Sequence, residues 1–196
     1  MNRIEFIQYF GTLRRDVPVI ASPGLQGGLL AAFADEPMTI YGMDMFCGTP
    51  MALGVALGWP DRRVVALAGD GDMLGSLGVL TTVARYQPAN LIIIVFDNGA
   101  YVTTGSGRAR TATATGTNIE QIGRAAGLSK TCTVEDMDAA REALDEAFRT
   151  PGPWLIVAKI DQTDREQAVH FSKEAPSVFE CGFLFRRAAL SSRGLA

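Results

Sequence analysis

The sequence predicts an α/β protein built on a mainly parallel sheet with helices on both faces. Three observations predict it. Two short runs, residues 64–68 and 91–96, are wholly apolar, with no polar face, as strands covered by helices on both sides require. Between and after them, apolar residues recur at helical spacing. Strand-like and helix-like segments therefore alternate along the chain, which is the pattern of successive strand–helix–strand units.

The elements follow in order. Residues 1–10 mix Arg3, Glu5 and Gln8 among apolar neighbours and read as an amphipathic helix, not a signal peptide. Residues 17–21 read as a strand ending in the turn Ser22-Pro23-Gly24, and 38–41 as a second, short strand. Residues 49–58, rich in Ala, Leu and Gly, form a buried helix that Pro60-Asp61 stops. After the strand at 64–68, Met73, Leu74, Leu77, Leu80 and Ala84 share a helical stripe. Gly75 and Gly78 interrupt and weaken that helix, which close backbone packing against a neighbour could explain. Asn118 caps a helix running to Ala126, with Gly127 as its stop. Residues 135–149 carry Met137, Ala140, Leu144 and Phe148 on one stripe, and 154–160 form a last strand after Pro151-Gly152-Pro153. The tail, 161–196, is less regular and reads equally as a subunit contact, a lid or a partly disordered end.

Composition narrows the function. A chain of 196 residues holds one sizeable domain. Its net charge of -3 argues against nucleic acid or an anionic membrane surface as partner, and no apolar run reaches the length of a membrane span. Cys47, Cys132 and Cys181 are far apart, with no Cys-x-x-Cys. That pattern offers no zinc or iron–sulfur site, and a reducing cytoplasm is the simplest compartment.

The most informative stretch begins at Ala68-Gly69-Asp70-Gly71 and ends at Asp97-Asn98-Gly99-Ala100-Tyr101. Each half sits at the carboxyl end of a predicted strand, where open α/β sheets bind ligands. The first half feeds a helix N-terminus, whose free N–H groups favour an anion, and glycines let a phosphate approach the backbone. Asp70 brings a carboxylate oxygen and Asn98 an amide oxygen, both suited to Mg²⁺. Either motif alone reads equally as a tight turn. Their order, strand, Gly-Asp-Gly, helix, apolar strand, Asn, carries the weight.

Gly69-Asp70-Gly71, followed after twenty-six residues by Asn98, resembles the thiamine-diphosphate motif. The resemblance implies the thiamine-diphosphate-binding fold of the diphosphate-binding (PP) type, over residues 1–160, with 161–196 as tail. It implies that Asp70, Asn98 and the backbone carbonyl of Ala100 hold Mg²⁺, and that Gly69, Gly71, Asp72 and Tyr101 lie against the cofactor. This chain has Asp97-Asn98 where the family often has Asn-Asn. Upstream, residues 45–54 resemble the segment Met-Gly-x-x-x-Pro-x-Ala-x-Gly. There an apolar side chain, matched here by Met45, wedges between the cofactor rings, and the carbonyl at Met43 accepts from the pyrimidine amino group. Phe46 stands where that segment usually has Gly. Read without the downstream motif, Met43, Met45 and Met51 are core filler.

Across residues 1–160 the chain is most similar to the sulfopyruvate and phosphonopyruvate decarboxylases, and within them to separate β subunits. Arg3-Ile4-Glu5, residues 91–94, Thr104-Gly105-Ser106 and residues 119–128 carry that likeness. In the wider family a glutamate from a separate pyrimidine-binding domain activates the cofactor, which then decarboxylates a 2-oxo acid to an aldehyde. About forty residues precede Met45, too few for another α/β domain. Glu5, Glu36 and Glu120 lie in no second domain. The activating Glu is therefore expected from a separate α subunit, in an α₂β₂ assembly.

Other residues read both ways. His170, the only histidine, reads as surface or packing more readily than as catalyst. Arg108 and Arg110 could meet a sulfonate, phosphonate or second carboxylate, or simply face solvent. Gly105-Ser106-Gly107 lacks the context of a dinucleotide fingerprint. Asp72 reads as an orienter of the diphosphate loop or as a helix N-cap, Asp44 as a polar contact near the cofactor, and Ser22, Gly24 and Gln26 as diphosphate contacts or a plain turn. A thiamine-diphosphate carboligase, a transketolase or 2-oxo acid dehydrogenase component, and a non-catalytic interaction subunit are the rival functions.

Overall fold

The computed structural model describes residues 1–101, 109–162, 169–170 and 175–194. Helix α1 (Arg3–Arg14) opens the chain, capped by the Asn2 side chain on the N–H groups of Ile4 and Glu5. Then come β1 (Val19–Ala21), α2 (Leu25–Phe33), β2 (Thr39–Ile40), α3 (Gly48–Gly58) and β3 (Val64–Gly69). Helices α4 (Asp70–Gly75) and α5 (Gly78–Tyr86) lead to β4 (Leu91–Asp97). A hairpin of β5 (Ala100–Tyr101) and β6 (Ala109–Arg110) follows, and after it a 3₁₀ turn (Ala112–Thr115). Helix α6 (Ile119–Ala125), β7 (Lys130–Val134), α7 (Met137–Arg149) and β8 (Trp154–Lys159) complete the α/β layer, and α8 (Val178–Ser192) lies in the tail.

Six strands form one sheet in the order β2-β1-β3-β4-β8-β7, every pair parallel. The apolar runs occupy its centre because both of their faces are covered. Val65 and Leu67 of β3, Ile92, Ile94 and Phe96 of β4, and Trp154 and Ile156 of β8 pack toward α1, α2 and α7. Val64, Ala66, Leu91, Ile93, Val95, Leu155 and Val157 pack on the opposite face, toward α3, α5 and α6. Phe6 of α1 meets Phe96 edge to face at 5.0 Å, fixing α1 over the end of β4.

The chain runs from β1 outward to β2 and returns to β3 on the other side of β1. This reversal opens a crevice at the carboxyl ends of β1 and β3, the position where doubly wound sheets take ligands.

Several boundaries move by one to four residues relative to the sequence expectation, and new elements appear, among them α2 and β7. Helix α2 went unread because Leu25–Phe33 is apolar on nearly all sides. Edge strand β7 has Lys and three Thr or Cys positions in five residues, which masks it. The glycine-interrupted helix is in fact two helices, broken at Ser76 and Leu77. The tail is more regular than its sequence suggested: α8 has fifteen residues, capped by Ser177 on the Glu180 N–H, and it packs against β2.

Candidate functional site

Three loops meet in the crevice: the turn after β1, the Gly69-Asp70-Gly71 turn after β3, and the Asn98–Tyr101 turn after β4. One pocket is lined by Gly24, Gln26, Met45, Gly69, Asp70, Gly71, Asp72, Asn98, Ala100 and Tyr101, together with Arg3 and Phe96. The structure thus brings together every cofactor residue expected from sequence except Met43. That residue lies two positions before Met45; its side chain packs against the core and its N–H donates to Ala21 O at 3.1 Å. No described donor takes its carbonyl.

Asp70 begins α4, so its carboxylate leaves the strand end directly into the pocket floor. It is 3% exposed. Thr111 Oγ1 donates to Asp70 Oδ2 at 2.5 Å, and Thr113 Oγ1 stands 3.0 Å from the same oxygen. Thr113 also lies 2.7 Å from Asp97 Oδ1, so one hydroxyl proton serves two carboxylates. Burial holds the Asp70 carboxyl above the usual carboxylate range, and the neighbouring Asp97 charge adds to this. The Thr111 and Thr113 hydroxyls and the Gly71 N–H act in the opposite direction. Among the described residues no basic side chain pairs with Asp70. Asp97, by contrast, accepts from Lys159 Nζ at 2.5 Å.

Asn98 Oδ1 accepts from the Ala100 N–H at 3.0 Å, a local turn that holds the amide at the pocket rim. Asn98 O accepts from Gln162 Nε2 at 2.6 Å. The Tyr101 ring lies on Gly71, where an added Cβ would stand 2.4 Å from the ring; only glycine fits beneath it. At Gly69 the same test meets open space.

This donor set suits a hard cation with a diphosphate. A carboxylate, an amide and a backbone carbonyl are oxygen donors of the kind Mg²⁺ takes, and the metal keeps room for phosphate oxygens. No cluster of three or more His, Cys, Asp or Glu stands together among the described residues, so a transition-metal cage is not what this pocket offers. The buried, cation-free Asp70 is the observation that fits the group.

Two sequence expectations change. Asp72 is not a helix N-cap: Gly69 holds that position, while Asp72 Oδ2 accepts from Ser22 Oγ at 2.8 Å and Oδ1 from the Phe46 N–H at 2.6 Å. Ser22 accordingly turns to Asp72, whereas Gly24 and Gln26 do line the pocket. Phe46 takes φ 71°, a left-handed conformation that costs a non-glycine residue about 1–2 kcal/mol. This explains why glycine is usual there. Its ring lies over Gly75, where a Cβ would stand 2.0 Å away, so close packing does explain that glycine. Gly78 meets nothing within 4 Å, and packing does not explain it.

Among the remaining candidates, Asp44 is exposed, and its carbonyl accepts from the Cys47 N–H. Arg110 is exposed and donates to Ala114 O. Exposed His170 stands away from the pocket lining. Arg108 and residues 104–107 lie outside the described residues. Sequence reading missed Thr111 and Thr113, which sit in a Gly/Thr-rich loop where nothing local distinguishes them. It also missed Lys159, whose signal was its place at the end of the last apolar strand, beside Asp97.

Comparison with known proteins agrees with this geometry. Residues 38–158 match the thiamine pyrophosphate enzyme, C-terminal TPP binding domain. The chain is 40% identical over 107 residues to the sulfopyruvate decarboxylase subunit beta of Methanothermobacter thermautotrophicus, covering 54% of this chain and 57% of that one. It is 30% identical over 142 residues to the subunit of the same name from Methanocaldococcus jannaschii, covering 72% of this chain and 73% of that one. Benzoylformate decarboxylase from Polynucleobacter necessarius shares the fold, with a TM-score of 0.70 at 22% identity, over 82% of this chain and 33% of that one. A family match over more than half of this chain, on a sheet whose carboxyl edge carries Asp70 and Asn98, shows that the chain belongs to the thiamine pyrophosphate enzymes and holds their C-terminal TPP-binding domain.

Proposed function

We propose that this chain is the β-type subunit of a thiamine-diphosphate-dependent 2-oxo acid decarboxylase, a carboxy-lyase of the sulfopyruvate kind. The reading is carried by one observation: Asp70 and Asn98, at the ends of adjacent strands, open into the same pocket as Met45. Asp70, Asn98 and the Ala100 carbonyl would hold Mg²⁺. The open backbone at Gly69 would face the diphosphate, with Tyr101 lying over Gly71 beside it. Met45 would support the cofactor rings and the Met43 carbonyl would accept from the aminopyrimidine. Thiamine diphosphate supplies the electron sink that takes up the electron pair freed as CO₂ leaves. The chain's own part is to fix that group: Thr111 and Thr113 orient the Asp70 carboxylate, and Lys159 neutralises Asp97 beside it.

The names of the methanogen relatives support a partner subunit, which would bring the activating Glu in an α₂β₂ assembly. Under this reading the cofactor-binding unit covers residues 1–160, and residues 161–196 would serve the assembly. Three free thiols agree with a cytoplasmic enzyme, and among the described residues no helix is long and apolar enough to cross a membrane.

Calorimetric titration of thiamine diphosphate with Mg²⁺ tests the proposal, into the chain alone and into the chain co-expressed with the product of its neighbouring gene. Tight, Mg²⁺-dependent binding in the mixture, with aldehyde and CO₂ released from a 2-oxo acid, is expected. A folded complex that binds no cofactor would instead indicate an interaction subunit.

A further inference from the structure

We infer that Asp72 is a positioning residue that clamps the turn at residues 45–46 to the end of β1 and so sets where Met45 enters the pocket. The inference rests on the proposed role of Met45 as ring support. Asp72 is 3% exposed and spends both carboxylate oxygens on protein donors: Oδ2 on the Ser22 hydroxyl and Oδ1 on the Phe46 N–H. One side chain therefore ties together three segments, the end of β1, α4 behind the Gly69-Asp70-Gly71 turn, and the turn that carries Met45.

Two close approaches show that this junction is built around the clamp. Ser22 is buried directly against Gly48, where a Cβ would stand 2.2 Å from the hydroxyl. The Phe46 ring lies on Gly75, which has no Cβ to exclude it. Between them, Phe46 holds φ 71°, a conformation an L-residue keeps only when its surroundings enforce it. The hydrogen bond from the Phe46 N–H to Asp72 acts on that residue itself, immediately after Met45. A carboxylate turned this way is not offered to the cofactor, and its charge would oppose a diphosphate. Its place in the pocket wall is therefore explained by what it holds.

The test uses the full chain assembled with its partner subunit and two probes: Mg²⁺-thiamine diphosphate, and Mg²⁺ with inorganic diphosphate, which has no rings for Met45 to support. Asp72→Ala is expected to weaken thiamine diphosphate binding about tenfold or more while leaving inorganic diphosphate binding nearly unchanged. Asp72→Asn retains an acceptor for Phe46 and a donor for Ser22 and should stay close to wild type. Adding Phe46→Gly to Asp72→Ala should recover part of the lost affinity, because glycine takes this backbone conformation without strain. Ser22→Ala removes one arm of the clamp and gives the same selective loss in milder form, which preserves the test if Asp72→Ala does not fold.

Equal loss of both probes would overturn the inference and place Asp72 on the diphosphate loop. Unchanged binding of both in the Asp72→Ala and Ser22→Ala variants would overturn it as well. Wild-type protein that binds neither probe would instead count against the proposed function.

Discussion

Replacing Asp70 with asparagine separates a metal ligand from a structural acid. The folded protein holds this carboxyl above its ordinary value of 3.8, chiefly through burial. A raised acid favours the folded state most when protonated. Its contribution is present below the ordinary value and is lost as pH rises through the raised one. Where ionised, this carboxylate is, without cofactor, a buried charge that no described cation offsets. Asp70→Asn removes that charge and keeps the shape, and the Thr111 and Thr113 hydroxyls can rotate to serve an amide. The variant without cofactor should be at least as stable as wild type at neutral pH, and its advantage should shrink on acidification toward 3.8.

With cofactor the order reverses. Ligand at about a hundredfold excess over its dissociation constant stabilises the native state by about 2.7 kcal/mol. In a chain of this size that is a Tm increase of roughly 5–11 °C. If the asparagine weakens binding about a hundredfold, the same ligand concentration gives only about 0.4 kcal/mol, or roughly 1–2 °C. Thermal melts of the assembled complex, with and without Mg²⁺-thiamine diphosphate and at several pH values, read both effects. A variant that keeps the full ligand-induced shift would refute the ligand assignment. One that loses several degrees without cofactor would make Asp70 a structural acid.

Three other perturbations probe the same architecture. Gly71→Ala drives a Cβ into the Tyr101 ring; a stability loss of about 1–2 kcal/mol and weaker diphosphate binding are expected, and unchanged melting and calorimetry would contradict that packing. Lys159→Met strips the cation from Asp97, which is 4% exposed. Because Lys159 is itself partly exposed, the expected cost is about 1–3 kcal/mol, below that of a fully buried pair, and a melt within a degree of wild type would show the pair to be idle. Burial pushes the Cys132 thiol up to about 11, so at pH 8 iodoacetamide should modify exposed Cys47 and spare Cys132 until denaturant is added; early labelling of Cys132 in peptide mass spectra would argue against its burial.

The sheet was legible because its central strands cannot disguise themselves. Runs such as Leu91–Asp97 are buried along their whole length, and sequence shows this as an unbroken apolar string. Asn118, Asp136 and Ser177 each cap a helix through their own side chains; of these only Asn118 was placed from sequence, because its partner Gly127 marks the other end. The edge was harder. Strand β7 has one side open and mixes Thr and Lys into its pattern, so its periodicity fades. The pocket was legible where its residues stand at strand ends, as for Asp70 and Asn98. It was illegible where support comes from far along the chain. Thr111 lies forty-one positions from Asp70, and Ser22 fifty from Asp72, and no local spacing announces either pair.

The Asp97-Asn98 sequence, where the family often has two asparagines, shows how a departure is absorbed. Two acids, Asp70 and Asp97, end adjacent strands paired in register, Gly69 facing Phe96. Both are buried and both reach Thr113, and the Asp97 charge disfavours ionisation of Asp70. Two ionised carboxylates in that position would be costly unless each had its own cation. The fold supplies one: Lys159 extends from β8, the neighbour of β4 on the other side, and pairs with Asp97. Nothing described supplies the second. The asymmetry decides the chemistry. Asp97 is satisfied from within the chain, so under the proposed function an external cation would go to Asp70, on the side where the pocket, Asn98 and the open backbone at Gly69 lie.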